Sequence, residues 1–368
     1  MKSKAIFHAD HIGSLLRPKA LKQAYTQFAE KTISLEILRA IEDEAIEKVV
    51  AKQQAIGLQS ITDGEFRRTI YFGHFTAGCH GFTNMQSEIK FDEEKRSIKY
   101  NSPTVTGKIS RKQSITGHEI DFVQQRLQKG NRQKVTLPSP ADMHAFRYRE
   151  GISDQANVYA DLEEFFADIA NVFQEELADL AARGIDYVQL DDTTFTLFCD
   201  PKWKKRFAER GYDPDEMVQR YVTCINAAIG KRPKGMTIAM HQCRGNNQGE
   251  WLFSGGYEAV AETTFSQLNI DKFFLEYDSE RAGGFEPLRF LPKDKFVVLG
   301  LISSKSPQME DKDTLKRKVE AAAKYFPMER MGISPQCGFA STAPGNPLTE
   351  DIQWKKLNLA IEISEELW

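Results

Sequence analysis

The sequence predicts an α/β protein folded as a (β/α)8 TIM barrel, on three observations. Eight short apolar runs read as strands, helical patterns separate most of them, and the motif of the rival open sheet is absent. Alternation of strand and helix implies a parallel sheet, and eight such units fit a closed barrel. An open doubly wound sheet would carry Gly-x-Gly-x-x-Gly at a helix start, and no helix here opens that way. The 368 residues read as one domain over 1–368, with an inserted β-rich segment at about residues 71–130 after the second strand. No linker rich in Pro, Gly or Ser divides them.

The first strand is Lys4-Ala5-Ile6-Phe7-His8-Ala9, running into the loop Asp10-His11-Ile12-Gly13-Ser14. Residues 35–56 form a helix, because Ile37, Ile41, Ala45 and Val49 recur four apart and Gly57 stops the run. Ser60-Ile61-Thr62 is the second strand, ending in Asp63-Gly64-Glu65-Phe66-Arg67-Arg68. In the inserted segment, the charged, alternating stretch at 88–100 reads as a hairpin or meander. Val135-Thr136-Leu137 is the third strand, stopped by Pro138-Ser139-Pro140.

A long helix at about 158–182 carries the apolar stripe Leu162, Phe165, Phe166, Ile169, Phe173, Leu177 and Leu180, and ends at Arg183-Gly184. Tyr187-Val188-Gln189-Leu190 is the fourth strand, leading to Asp191-Asp192-Thr193. A helix at 214–229 leads to the fifth, Thr237-Ile238-Ala239-Met240, and one near 257–265 to the sixth, Phe273-Phe274-Leu275, with Glu276 at its end. Residues 296–302 are an apolar strand, 312–325 a helix, and Met331-Gly332-Ile333-Ser334-Pro335 the last strand, before Gln336-Cys337-Gly338. Residues 349–367 close the chain as a helix.

Composition removes several functional classes. A formal net charge of -3 argues against nucleic acid or an anionic membrane as the main partner. No apolar run approaches the roughly 18 residues that span a bilayer. Met1-Lys2-Ser3-Lys4-Ala5 lacks the apolar core of a secretion signal. Five scattered cysteines suit a reducing cytoplasm, with thiols free for metal or packing.

The strand ends carry the chemistry. Positions i and i+2 of a strand point the same way, so His241 and Cys243 can reach one ion from a single strand end. Ser14, Asp63 with Glu65, Asp191 with Asp192, Glu276 and Cys337 stand at the other ends. Carboxylates and thiols facing a cleft are costly unless paired or metal-bound. His241, Cys243, Glu276 and Cys337 make a ligand set for Zn²⁺, which takes N and S donors in tetrahedral geometry. Cys79, Cys199 and Cys224 read as packing, His8 and His11 as either pocket or loop residues, and Arg67, Arg68 and Lys305 as solvated or paired.

Two thiolates and a carboxylate leave Zn²⁺ at a formal charge of about -1. Such an ion generates hydroxide poorly, yet it can bind and deprotonate a thiol of pKa about 8.5 and leave its sulfur nucleophilic. Alkyl transfer to a thiol follows, rather than hydrolysis. Glu276, the hardest ligand, is the one expected to yield to the entering sulfur. Asp191 and Glu65 would hold an amino group, and Gly13 with Ser14 a carboxylate, which describes a thiol such as homocysteine.

Ile12-Gly13-Ser14, Asp63-Gly64-Glu65-Phe66, Gln189-Leu190-Asp191, His241-x-Cys243, Glu276 and Pro335-Gln336-Cys337-Gly338 occur in the order found in cobalamin-independent methionine synthases. The chain resembles the C-terminal catalytic barrel of that family, in its shorter single-barrel form. The resemblance implies that His241, Cys243, Glu276 and Cys337 bind zinc and that Ile12, Gly13, Ser14, Glu65 and Asp191 contact homocysteine. It further implies a cytoplasmic methyltransferase of methionine biosynthesis that takes its methyl group from a small donor.

The sequence departs from the family on the donor side. Pro138-Ser139-Pro140 replaces the Trp that stacks on folate, Leu197 a Glu that contacts it, and Lys305-Ser306-Pro307 the family's His-Ser-Pro. The donor therefore stays open among methyltetrahydrofolate, a methylcorrinoid and a methylated thioether or sulfonium. Another small thiol as acceptor, or a non-catalytic thiol-binding barrel, are the rival readings.

Overall fold

The computed structural model describes residues 6–91, 96–147 and 158–368, the side chains of 89–101 excepted. Its strands are β1 (Ser60–Ile61), β2 (Cys79–Phe91), β3 (Arg96–Arg111), β4 (Arg132–Gln133), β5 (Val135–Pro138), β6 (Tyr187–Asp192), β7 (Thr237–Gln242), β8 (Lys272–Glu276), β9 (Phe296–Ile302) and β10 (Met331–Pro335). Strands β5 to β10 form one parallel sheet in the order of the chain. Every residue of these six strands is buried, so they need no polar face and read as continuous apolar runs.

At one edge, β1 pairs in parallel with β4, which Lys134 alone separates from β5. At the other, Ala9 bridges Ile333 of β10 in parallel. The strand expected at residues 4–9 is thus a single bridge, and residues 4 and 5 lie outside the described residues. Past Ala9 the backbone leaves the ladder, with the Asp10 carboxylate accepting the His11 N–H at 2.8 Å. The loop after it reaches the β1 side: the His11 ring donates to the Ser60 carbonyl at 3.0 Å, and the Leu15 N–H to that of Gly64 at 3.0 Å.

Strands β2 and β3 form an antiparallel hairpin of their own within the segment expected to be β-rich. Residues 92–95 of its expected charged stretch lie outside the described residues. The same segment also holds two short helices, Gly73–Ala77 and Gly117–Gln124. The longer helices follow their caps. Asp161 accepts the Glu164 N–H and starts Leu162–Ala182, four residues later than the apolar pattern suggests. That helix buries Phe165, Ile169, Phe173, Leu177 and Leu180.

All strand starts of a parallel sheet lie at one end, and here they enclose a charge cluster. Asp10 accepts from Lys134 at 3.0 Å, and from Lys272 and the Tyr187 hydroxyl at 2.7 Å each. All four residues are buried. The opposite end carries the candidate site.

Candidate metal centre and its pocket

His241 lies in β7 and Cys243 one residue beyond it; Glu276 ends β8, and Cys337 follows β10 by two residues. One ligand atom from each of the four lies within 4.8 Å of the others, and all four residues are buried. The two Sγ atoms are 3.4 Å apart. Their contact drives the Cys337 thiol well below its ordinary range, against burial and with help from His241, while it pushes Cys243 up. Burial lowers the pKa of the His241 ring, and the Cys337 thiol beside it raises it. One N, two S and one O donor at this spacing fit a tetrahedral metal ion.

Glu276 is held from behind. Its Oε1 accepts the Arg244 N–H at 2.7 Å, and its Oε2 lies 3.4 Å from Arg281 Nη2 and 3.7 Å from Lys305 Nζ.

His241, Cys243 and Cys337 face a cavity of about 190 Å³, whose wall also includes Ile12, Ser14, Glu65 and Asp191. Gly13 does not line it. Its φ of 138° is open to glycine, and a Cβ there would meet Thr136 Cγ2 at 2.8 Å. It shapes the turn that presents Ser14. Gly338 is needed for a different reason, since a Cβ would stand 2.0 Å from Ser14 Oγ.

Glu65 has a φ of 59°, a left-handed conformation that a glutamate adopts only under constraint. Asp63 Oδ1 accepts its N–H at 2.8 Å, and Arg17 donates to its carbonyl at 2.7 Å. Its own Oε1 accepts from Thr136 at 2.8 Å. Asp191 Oδ1 accepts from Gln189 Nε2 at 2.7 Å. Burial pushes both carboxyls up, Asp191 to about 8 with the charges of Glu65 and Cys337 adding to it. Glu65 already has Arg68 beside it, at 3.7 Å.

Other strand-end residues do structural work. Asp192 accepts the N–H groups of Thr194 and Phe195 at the start of a helix. His11 bonds Ser60, His8 stacks on Trp368 with ring centroids 4.9 Å apart, and neither lines the cavity. Cys79, Cys199 and Cys224 are buried away from the cluster. Arg67 pairs with Glu42 and Asp43, and Arg68 with Glu119. The rest of the wall, chiefly Tyr71, Phe72, Phe146, Arg147 and Leu252, is not among the residues the sequence points to. Arg147 lies over the Phe72 ring at 3.7 Å and donates to Ser102 at 2.9 Å. The available signal was position, since these residues fall in the segments that follow strand ends.

Fold and site together define a parallel-sheet α/β enzyme with a buried, metal-competent His/Cys/Glu/Cys cluster opening on a small pocket. Among the described residues, no helix is long and apolar enough to cross a membrane. The profile for the cobalamin-independent synthase catalytic domain matches residues 7–352, and the chain belongs to the cobalamin-independent methionine synthase family, a family of methyltransferases. It is 40% identical to the uncharacterised protein YxjH of Bacillus subtilis, over 99% of this chain and 96% of that one. A Listeria monocytogenes structure, solved as a candidate vitamin-B12-independent methionine synthase, superposes with a TM-score of 0.78 at 32% identity, covering 100% and 99% of the two chains. A B12-independent methionine synthase from Shewanella sp. W3-18-1, solved with selenomethionine, shares the fold with a TM-score of 0.74 at 21% identity, covering 98% of each chain.

Proposed function

We propose that this chain is a zinc-dependent methyltransferase that moves a methyl group onto the thiol of homocysteine and forms methionine. The observation that carries this reading is the convergence of His241, Cys243, Glu276 and Cys337, three of them on the wall of the cavity that Ser14, Glu65 and Asp191 share. The N, S, S, O donor set is that of zinc rather than of a hard, oxygen-seeking ion. When bound, zinc would supply the charge that holds an incoming thiol as its thiolate. Asp191 and Glu65 hold the ammonium group, and Ser14, with Ile12 and the turn at Gly13, orients the carboxylate. The sulfur then faces the outer wall of Tyr71, Phe72, Phe146 and Arg147, to which we assign the donor. An S–CH₃ bond forms as the donor–CH₃ bond breaks, and the thiol proton leaves to solvent. Selenomethionine in the Shewanella protein is the selenium counterpart of the product and supports an amino-acid thiol.

We also read the sheet as a closed (β/α)8 barrel with the β2–β3 segment inserted into it. The Ala9–Ile333 bridge and the contacts of residues 11–15 with 60–64 support closure. Five unpaired cysteines are consistent with a cytoplasmic home.

The test combines metal analysis with a screen of homocysteine against folate, corrinoid and sulfonium methyl donors, read by product mass. About one zinc per chain and methionine from one donor are expected. A chain that purifies without zinc and binds no homocysteine when zinc is supplied overturns the reading.

A further inference from the structure

Glu276 differs from the other three candidate ligands in what surrounds it. It does not line the cavity, and it is fully buried. Two cations compete for its Oε2: Arg281 at 3.4 Å and Lys305 at 3.7 Å. Arg281 sits in the short turn Glu280–Ala282 after β8, leans on the Trp251 ring at 4.9 Å and also pairs with Asp278 at 3.6 Å. Lys305 follows β9, the strand beside that of Glu276. Its Nζ is buried and has no hydrogen-bond partner among the described residues.

A ligand residue is ordinarily steadied by a partner that strengthens its hold on the ion. Two cations on one carboxylate do the reverse. They draw charge from the bond to the ion and stabilise the carboxylate once that bond is gone. A carboxylate released in a dry site without a partner would be costly. Here the partners are in place.

Resting on the zinc–thiol reading above, we propose that Lys305, together with Arg281, receives Glu276 when an incoming thiolate takes its place beside the ion. Lys305 is then a positioning residue that acts through Glu276. With an ion bound, the Glu276 carboxylate would leave as the thiolate arrives, the thiol proton would go to solvent, and no electron would change hands. The net charge at the ion stays the same, because one anionic ligand replaces another.

The experiment uses the full chain loaded with Co²⁺ as a spectroscopic probe and homocysteine as the thiol, with Lys305→Met and Lys305→Arg made in wild-type and Glu276→Gln backgrounds. Lys305→Met should keep its cobalt, lose it to a chelator about tenfold more slowly, and bind homocysteine about tenfold more weakly by the change in the cobalt spectrum. Lys305→Arg, which keeps the charge, should stay within about threefold of wild type. In the Glu276→Gln background, Lys305→Met should add no further loss of thiol affinity. Unchanged chelator resistance and thiol affinity in Lys305→Met, or equal losses in both backgrounds, would overturn the proposal. A wild-type chain that holds no metal overturns the zinc reading itself and this inference with it.

Discussion

Two clusters of buried charge lie at opposite ends of the same strands. At the strand starts, both oxygens of Asp10 are engaged, by Lys134, Lys272, Tyr187 and the His11 N–H. At the strand ends, the His241 ring meets the Cys337 thiol, and the ammonium of Lys305 has no hydrogen-bond partner among the described residues. A buried polar atom without a partner costs about 1–3 kcal/mol. The first cluster is complete as protein alone and serves the fold. The second borders the cavity, and β8 contributes to both, with Lys272 at its start and Glu276 at its end.

The comparison breaks most visibly at the thiols. Cys243→Ala or Cys337→Ala should lower methyl transfer by at least about a thousandfold, roughly 4 kcal/mol, and strip the bound metal. Urea denaturation of the metal-free proteins should differ from wild type by only about 1–2 kcal/mol. A variant that keeps its metal would place the ion elsewhere. Asp10→Ala should do the opposite: it strands two buried ammonium groups and costs about 3–5 kcal/mol in the same denaturation assay. If stability is spared, the cluster at the strand starts is not what holds the sheet.

Smaller effects sharpen the contrast. Asp191→Ala should weaken homocysteine by about ten- to a hundredfold in a titration and leave a thiol without an amino group nearly unaffected. Equal losses for both thiols would remove Asp191 from ammonium binding. The last effect belongs to His11, which burial, helped by the charge of Lys134, lowers to about 3. The folded chain keeps it neutral while the unfolded chain protonates it near 6.5, so the unfolded state binds the extra proton between those values. Stability from this group is full above pH 6.5 and falls as pH drops toward 3, by about 1.4 kcal/mol per pH unit. His11→Gln should flatten that slope in thermal melts between pH 6.5 and 4; an unchanged slope assigns the acid sensitivity to other groups.

Much of this was legible in the residues. The strand at 296–302 and the last strand at 331–335 fall where their apolar runs place them, and the four candidate ligands come together as strand-end spacing implies. Three kinds of feature were not. Short helices such as Pro140–Ala145 and Pro201–Ala208 have too few residues for a periodic stripe. Their Ser139-Pro140 and Asp200-Pro201 starts are cap signals, although Pro138-Ser139-Pro140 equally marks the end of a strand. The first strand has an apolar pattern, yet among the described residues it is one bridge at Ala9. Arg281 and Lys305 look like ordinary surface cations in the sequence; only the fold brings them to Glu276. The outer wall was hidden for the same reason, because Tyr71 and Arg147 lie 76 positions apart in the chain yet line one cavity.

Zinc K-edge absorption on the purified chain tests the metal centre most directly. Two sulfur neighbours at about 2.3 Å with two nitrogen or oxygen neighbours at about 2.0–2.2 Å are the predicted result. A shell of nitrogen and oxygen alone, or a spectrum unchanged when Cys243 and Cys337 are replaced, would contradict it.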